Sequence, residues 1–511
     1  MNSPSEDSTS PGTSLLASHK LVMFMGIAFL ALALGRCWAN LPWCDEGWFF
    51  DPAYNWLTKG YSGTTVMEGA GFPWAGIERY QFWQPPLQLI VDAAWLKIFG
   101  LTLFAFRALS TAAGIVWLLC WYYLLRYFEF PRAVMLLSML FLTTDYAIVR
   151  AASDGRMDML AATFGIAGVV AYLRFREHRF SVALFLSQTL IVCGGLTHPM
   201  GGLVYLGFVI YFFVRNSDWK RVKAFHLALA AIPYMVGAAG WGAYIMRDPQ
   251  LFRKIFFGAN VSGRMNGFLN PVQAFHDEVI KRYLAPFGLY AHSWVVKSKL
   301  AIPVVYLCAA ATVCLTRLWR SQTYLRPIFG MWTICFLCFV FFDAQRNGAY
   351  MIHIFPEYAI LLAAVTCRLW WKAALARPLL VAFVVGFVSL QVGGSAYLIA
   401  TNPYSREYRP VVDFVRQHSK PGDRIVGSAE FGFGLGFDNV HDDEALGYFV
   451  NRKPDVIIVD RRYQDWYDMQ SAKNPAIHQF IRHRLDREFR QVYHNDTYRV
   501  YLPRLPASVL S

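Results

Sequence analysis

Five short stretches carry residues whose types and spacing could do chemistry. Asp45 and Glu46 directly follow the first apolar run. A carboxylate placed where a membrane helix meets water could deprotonate an incoming hydroxyl or amine, or help hold a divalent cation. Asp45 could equally do no more than cap the helix-like run that extends to Leu57. Glu78 precedes an aromatic, proline-rich stretch, 80–87, suited to an interfacial anchor or to stacking on a sugar ring. The segment 150–158 brings Arg150, Asp154, Arg156 and Asp158 together. Arginine clamps phosphate bidentately, and the carboxylates suit a metal or a base. Asp158 already lies inside an apolar run, where ordinary surface does not explain it, whereas Asp154 also reads as a helix cap. His198, among glycines at a helix junction, could bind phosphate when charged or a metal when neutral, or be a satisfied boundary histidine. Arg346, Tyr350 and His353 are spaced to share a helix face, with Arg346 the preferred phosphate ligand and Tyr350 beside it. Glu357, a turn further in, is costly unless it faces a bundle interior.

The elements that must position these groups are membrane helices. Of the 511 residues, 56% are hydrophobic and only 16% charged, in long uncharged runs, which defines a polytopic α-helical membrane protein. The net charge of +14 does not call for nucleic acid, because much of the Lys and Arg lies in short loops between apolar runs. Eleven runs suit spanning helices: 21–39, 104–125, 133–149, 157–173, 180–196, 199–214, 224–246, 301–316, 327–343, 350–366 and 378–400. The run 86–103 begins with two prolines and contains Asp92 and Lys97, so it reads as interfacial or re-entrant. With eleven spans, five basic loops (126–132, 174–179, 215–223, 317–326 and 368–377) share the cytoplasmic side, and counting 86–103 as a span would reverse them all. Nearly every polar cluster then falls on the outer side, in the long loops 40–103 and 247–300 and in shorter turns.

The ends differ in composition. Residues 1–18, rich in Ser, Pro and Thr, are expected to be a disordered cytoplasmic N-terminus, and 19–403 form the transmembrane domain. The tail, 404–511, alternates helix and strand: helix 409–418, strand 424–427, helix near 444–451, strand 455–460, helix 476–489, strand 498–502. That pattern predicts a small extracytoplasmic α/β domain. The nine cysteines show no metal-ligand spacing, and a disulfide between Cys37 and Cys44 stays open.

Taken in order, these pieces resemble the GT-C membrane glycosyltransferases, in particular the bacterial family related to protein O-mannosyltransferases and to the lipid A aminoarabinose transferase. The acidic pair after the first helix matches Asp45-Glu46. A Lys-Pro-Pro-Leu element is matched by Gln84-Pro85-Pro86-Leu87, an Arg-x-x-Arg-Pro-Asp-like segment loosely by Arg150 to Asp158, and a Leu-Thr-Lys-Gly-Pro element by Leu196-Thr197-His198-Pro199. The resemblance covers roughly 40–400, with departures: Gln84 replaces a lysine, Met157 a proline, and His198 stands at a lysine position.

The resemblance implies a GT-C-like fold and a sugar transferred from a polyprenyl-monophosphate carrier to a lipid, glycan or protein acceptor, usually with inversion. It implies an integral protein of the bacterial inner membrane whose site faces the periplasm. Asp45 is then the base, with Asp158 and Glu46 as further catalytic candidates. Arg346, His198, Arg150 and Tyr350 are the candidate ligands of the carrier phosphate. Relatives differ in metal dependence, so no cofactor is assigned and a divalent metal stays open, with Glu78 and His353 as extra ligand candidates. The alternatives are a transporter or lipid-handling protein, or a non-catalytic scaffold that binds a glycan. No internal repeat and no broken helix pair near mid-membrane favours the transporter.

Overall fold

The structure, a computed structural model, describes residues 11–68, 71, 74–261 and 264–504. All eleven predicted apolar runs contain helix. Among the described residues, eight helical stretches are long and apolar enough to cross a membrane, and Arg132–Thr144 and Pro199–Arg215 are shorter apolar helices. Phe355–Lys372 is a helix of 18 residues whose three charged residues, Glu357, Arg368 and Lys372, lower its hydropathy. The expected disordered N-terminus falls partly outside the described residues (1–10) and partly on the first helix, Pro11–Ala39.

Two departures from simple spans serve the site. The run 133–149 is not one helix. Asp145 interrupts it, accepting from the backbone N–H groups of Ala147 and Ile148 at 2.8 and 2.9 Å to start a new short helix, Tyr146–Ala151. Its other oxygen accepts from Tyr306 Oη at 2.6 Å and Gln391 Nε2 at 3.1 Å, so the break is locked from two further helices. The short helix carries Arg150. The run 86–103 yields the helix Leu87–Phe99, whose 13 residues reach only about 20 Å at 1.5 Å per residue and fall short of a bilayer core. Its Leu89, Ala93 and Leu96 pack with Phe49, Phe50, Phe82 and Phe106 in a core cluster of its own, separate from the main bundle.

The tail folds as a five-stranded sheet, with β1 Ile425–Val426, β2 Val440–His441, β3 Val456–Val459, β4 Phe489–His494 and β5 Arg499–Pro503 in the order β2-β1-β3-β5-β4. β1 pairs in parallel with β2 and β3, while β5 runs antiparallel to β3 and β4. Successive strand residues face opposite sides, as the pleat requires: Ile425, Val456 and Ile458 join Val411, Val412 and Val415 on one face, and Val426, Ile457 and Val459 join Tyr463, Ile477 and Ile481 on the other. The helix expected near 444–451 is a series of turns, because Leu446, Gly447 and Asn451 all have positive φ, which no α-helix accommodates.

Candidate active site

The site is organised by Glu46, and through it by Arg107. Glu46 is fully buried; its Oε1 accepts from Arg107 Nε at 2.7 Å and from Gly155 N at 2.8 Å, its Oε2 from Arg107 Nη2 at 2.6 Å and Trp43 N at 3.3 Å. The remaining Arg107 donors hold the carbonyls of Cys37, Asn40 and Leu41 at 2.9–3.0 Å. One ion pair therefore ties the end of the first helix, the start of the helix Cys44–Lys59 and the loop before Met157. A glycine is required at 155, since a Cβ there would lie 2.3 Å from the Phe106 ring. This corrects the placing of Glu46 among catalytic residues: both its oxygens are consumed by donors, so it positions its neighbours. Nor does Asp45 cap the helix; Trp43 is the cap residue and Asp45 lies in the first turn.

With those segments joined, Asp45 meets Arg156. Arg156 pairs through Nη1 with Asp45 and through Nε, at 2.7 Å, with Asp158. Asp45 keeps 16% of its side-chain surface exposed, whereas Asp158 is buried with Oδ1 lacking any hydrogen-bond partner. Asp154, also buried, accepts from Arg150 Nε at 3.1 Å through Oδ2 and leaves Oδ1 without a partner. Arg150, Asp154, Arg156 and Asp158 line one cavity of about 310 Å³, closed by Trp43 and Tyr146 and by residues of the 286–287 and 347–352 segments. Lys299 is its third cation, with Nζ 4.9 Å from the centre of the Tyr146 ring. Lys299 is not among the residues that motif spacing singles out. Its signal is a lysine at the expected outer end of the apolar run 301–316, opposite to the side where the basic loops gather.

The other predicted ligands lie elsewhere. Arg346 is buried and faces inward: Nη1 meets Glu278 Oε2 at 3.1 Å and the carbonyls of Asp343, at 3.0 Å, and Phe339, and Nη2 meets the carbonyl of Val340 at 3.0 Å. Its backbone φ of +55° turns the chain there. Arg282 joins the same network, donating to Glu278 at 2.7 Å and Asp343 at 2.9 Å. Arg346 is thus a structural cation that closes the end of the helix Leu325–Phe342, a correction to its reading as phosphate ligand. His198 is buried; its Nδ1 accepts from Met200 N at 3.3 Å, which leaves Nε2–H to donate to Tyr350 Oη at 3.1 Å. Neither His198 nor Tyr350 lines the cavity, although Ala349 and Met351 beside Tyr350 do. Glu78 accepts from Gly76 N at 3.0 Å, and His353 sits in the bundle with Nδ1 3.2 Å from Tyr205 Oη. Nothing joins these two, and among the described residues no group of three His, Cys, Asp or Glu side chains is placed to hold a metal ion. The proposed pair does not fit a metal. Cys37 and Cys44 are both free and buried.

The interrupted helices, the short helix Leu87–Phe99, the acid-arginine site and the α/β tail are arranged as in the GT-C fold, which the solved structures below share. No protein-family model and no curated protein matches the chain. Among solved structures, ArnT from Cupriavidus metallidurans in the apo state superposes with a TM-score of 0.59 at 16% identity over 95% of this chain and 98% of ArnT. The same enzyme bound to undecaprenyl phosphate gives 0.53 at 16% identity, over 96% of this chain and 98% of ArnT. The oligosaccharyltransferase AglB from Archaeoglobus fulgidus, in complex with an inhibitory peptide and a dolichol-phosphate, gives 0.53 at 11% identity, over 89% of this chain and 71% of AglB. At these identities the similarity is one of fold.

Proposed function

We propose that this protein is a glycosyltransferase that moves a sugar from a polyprenyl-phosphate carrier to an acceptor at the membrane surface. The observation that carries the reading is the cavity lined by Arg150, Arg156, Lys299, Asp154 and Asp158, with Asp45, outside that lining, paired to Arg156. It lies in a fold shared with an enzyme whose structure contains undecaprenyl phosphate. In this reaction the acceptor oxygen attacks the anomeric carbon and its proton passes to Asp45. The bond between that carbon and the carrier phosphate oxygen breaks, and the electron pair leaves with the phosphate. Attack opposite the leaving group inverts the anomeric centre. Arg156, paired with both Asp45 and Asp158, holds the two carboxylates in place beside the cavity. The charge that develops on the phosphate meets Arg150, anchored by Asp154, and Lys299, beside the Tyr146 ring, two cations already at the cavity before the bond breaks. We place the site on the periplasmic face of a bacterial inner membrane, as the distribution of basic loops suggests.

The phosphate assignment has a direct test. Charge-assisted hydrogen bonds contribute about 1.5–3 kcal/mol, so Arg150→Met and Lys299→Met are each expected to weaken binding of undecaprenyl phosphate by about tenfold or more. Binding to the protein in nanodiscs reads this; unchanged affinity in both variants would refute the assignment. Arg346→Met should behave oppositely. It is expected to leave that affinity alone and to lower the thermal midpoint by several degrees, because it strands Glu278 Oε2 and the carbonyls of Phe339, Val340 and Asp343 in the interior.

A further inference from the structure

A second cavity, about 350 Å³ in volume, lies between the membrane domain and the tail. Asn40, Leu41 and Leu398 line it from one side, Glu430, Asp460 and Tyr498 from the other. It shares Trp43, Tyr146, Arg150 and Asp154 with the cationic cavity, so the two are separated by one layer of side chains. The tail is held tightly here: a Cβ on Gly47 would lie 2.5 Å from the backbone of Ala429, which puts Glu430 against the helix that carries Asp45.

Two carboxylates facing this cavity are incompletely used. Glu430 is 3% exposed and its Oε2 has no hydrogen-bond partner; Asp154 is 5% exposed and its Oδ1 has none. Burial and the nearby Asp460 push the Glu430 carboxyl well above its usual range. Buried polar atoms normally find partners, so one unpartnered carboxyl oxygen from each domain at a single cavity points to a ligand that brings hydroxyls, which donate to a carboxylate and accept from a protonated carboxyl. Charge argues the same way. Arg36, Arg150, Arg461 and Arg462 line the cavity against three acids, Asp154, Glu430 and Asp460, so an ammonium group gains nothing and neutral hydroxyls fit. Trp43, Tyr146 and Tyr498 add aromatic surface that packs on an apolar face.

We infer that this second cavity binds a saccharide, whose hydroxyls are received by Glu430 of the tail and Asp154 of the membrane domain, and that it is the acceptor subsite of the transferase. The word acceptor rests on the function proposed above; the binding of a saccharide does not. Glu430 is a positioning residue here, presenting the acceptor to Asp45 from the tail side.

Binding of tritiated octyl β-glucoside to the full-length protein in nanodiscs, above its partition into empty nanodiscs, tests this. Glu430→Ala and the cavity-filling Leu398→Trp are each expected to weaken it about tenfold, with undecaprenyl phosphate affinity unchanged and partial rescue in Glu430→Gln, which retains an acceptor oxygen. If Glu430→Ala loses both ligands through misfolding, Leu398→Trp, on the opposite wall, decides. Absence of glucoside binding by the wild type, equal binding by the wild type and Leu398→Trp, or tighter binding of dodecylamine than of the glucoside would overturn the inference. Failure of undecaprenyl phosphate to bind would instead strike the transferase reading and leave the glucoside result standing.

Discussion

Asp45→Asn is expected to reduce the rate of sugar transfer by about 10²- to 10⁴-fold, the usual contribution of a positioned general base. The substitution keeps the shape and a hydrogen-bond acceptor for Arg156, but removes the carboxylate proposed to take the acceptor's proton. Arg156 still has Asp158 at 2.7 Å, so it stays in place and the cationic cavity survives. Affinity for undecaprenyl phosphate and thermal stability should therefore match the wild type while kcat falls. A fall in donor affinity with kcat preserved would make Asp45 a binding group and move the base to Asp158, which lines the cavity and has Oδ1 unpartnered.

Its sequence neighbour should behave in another way. Glu46→Ala is expected to destabilise the fold by about 3–5 kcal/mol, the typical cost of removing one member of a buried ion pair and leaving the other uncompensated. Arg107 would remain buried with no carboxylate, and Gly155 N would lose its acceptor, so the loop that presents Asp154, Arg156 and Asp158 would loosen with it. The expected phenotype is poor accumulation and a lowered thermal midpoint, with transfer lost in proportion to folded protein. A Glu46→Ala protein as stable as the wild type but inactive would return Glu46 to the chemistry.

The contrast between these two adjacent acids shows what the sequence can and cannot reveal. Both lie where a helix meets the surface, and nothing local separates them. What separates them is Arg107, 61 residues away, which approaches Glu46 and not Asp45. Arg346 is misread for the same reason: its partner Glu278 lies in the long loop 247–300, whose folding into short helical turns has no clear periodicity. That Arg150, Arg156 and Asp158 lie together was legible because they sit within a single short segment that the fold keeps together. Lys299 was not, because several cations in that loop look alike and only the packing of Tyr146 beside it brings it into the cavity. The helices were readable from hydropathy, down to the short one at Leu87–Phe99, whose charges and prolines argue against a span. Asp145, which divides an apolar run, reveals itself only through Tyr306 and Gln391 on distant helices. In the tail, β3 stands out as four consecutive buried residues, whereas β2 has only two residues and β4 mixes buried Phe489 with exposed Arg490 and Gln491 directly after a helix.

The central claim is that the cavity of Arg150, Arg156 and Lys299 receives a polyprenyl-phosphate sugar. The most direct measurement is release of radiolabelled sugar from synthetic polyprenyl-phosphate sugars by the purified protein in nanodiscs, supplied with a membrane extract as the source of acceptor. The expected result is label moving from the carrier to a new product with the wild type, inhibition by added undecaprenyl phosphate, and loss of transfer in Asp45→Asn. Label that moves equally well with Asp45→Asn, or transfer that persists when Arg150 and Lys299 are both replaced by Met, would contradict it.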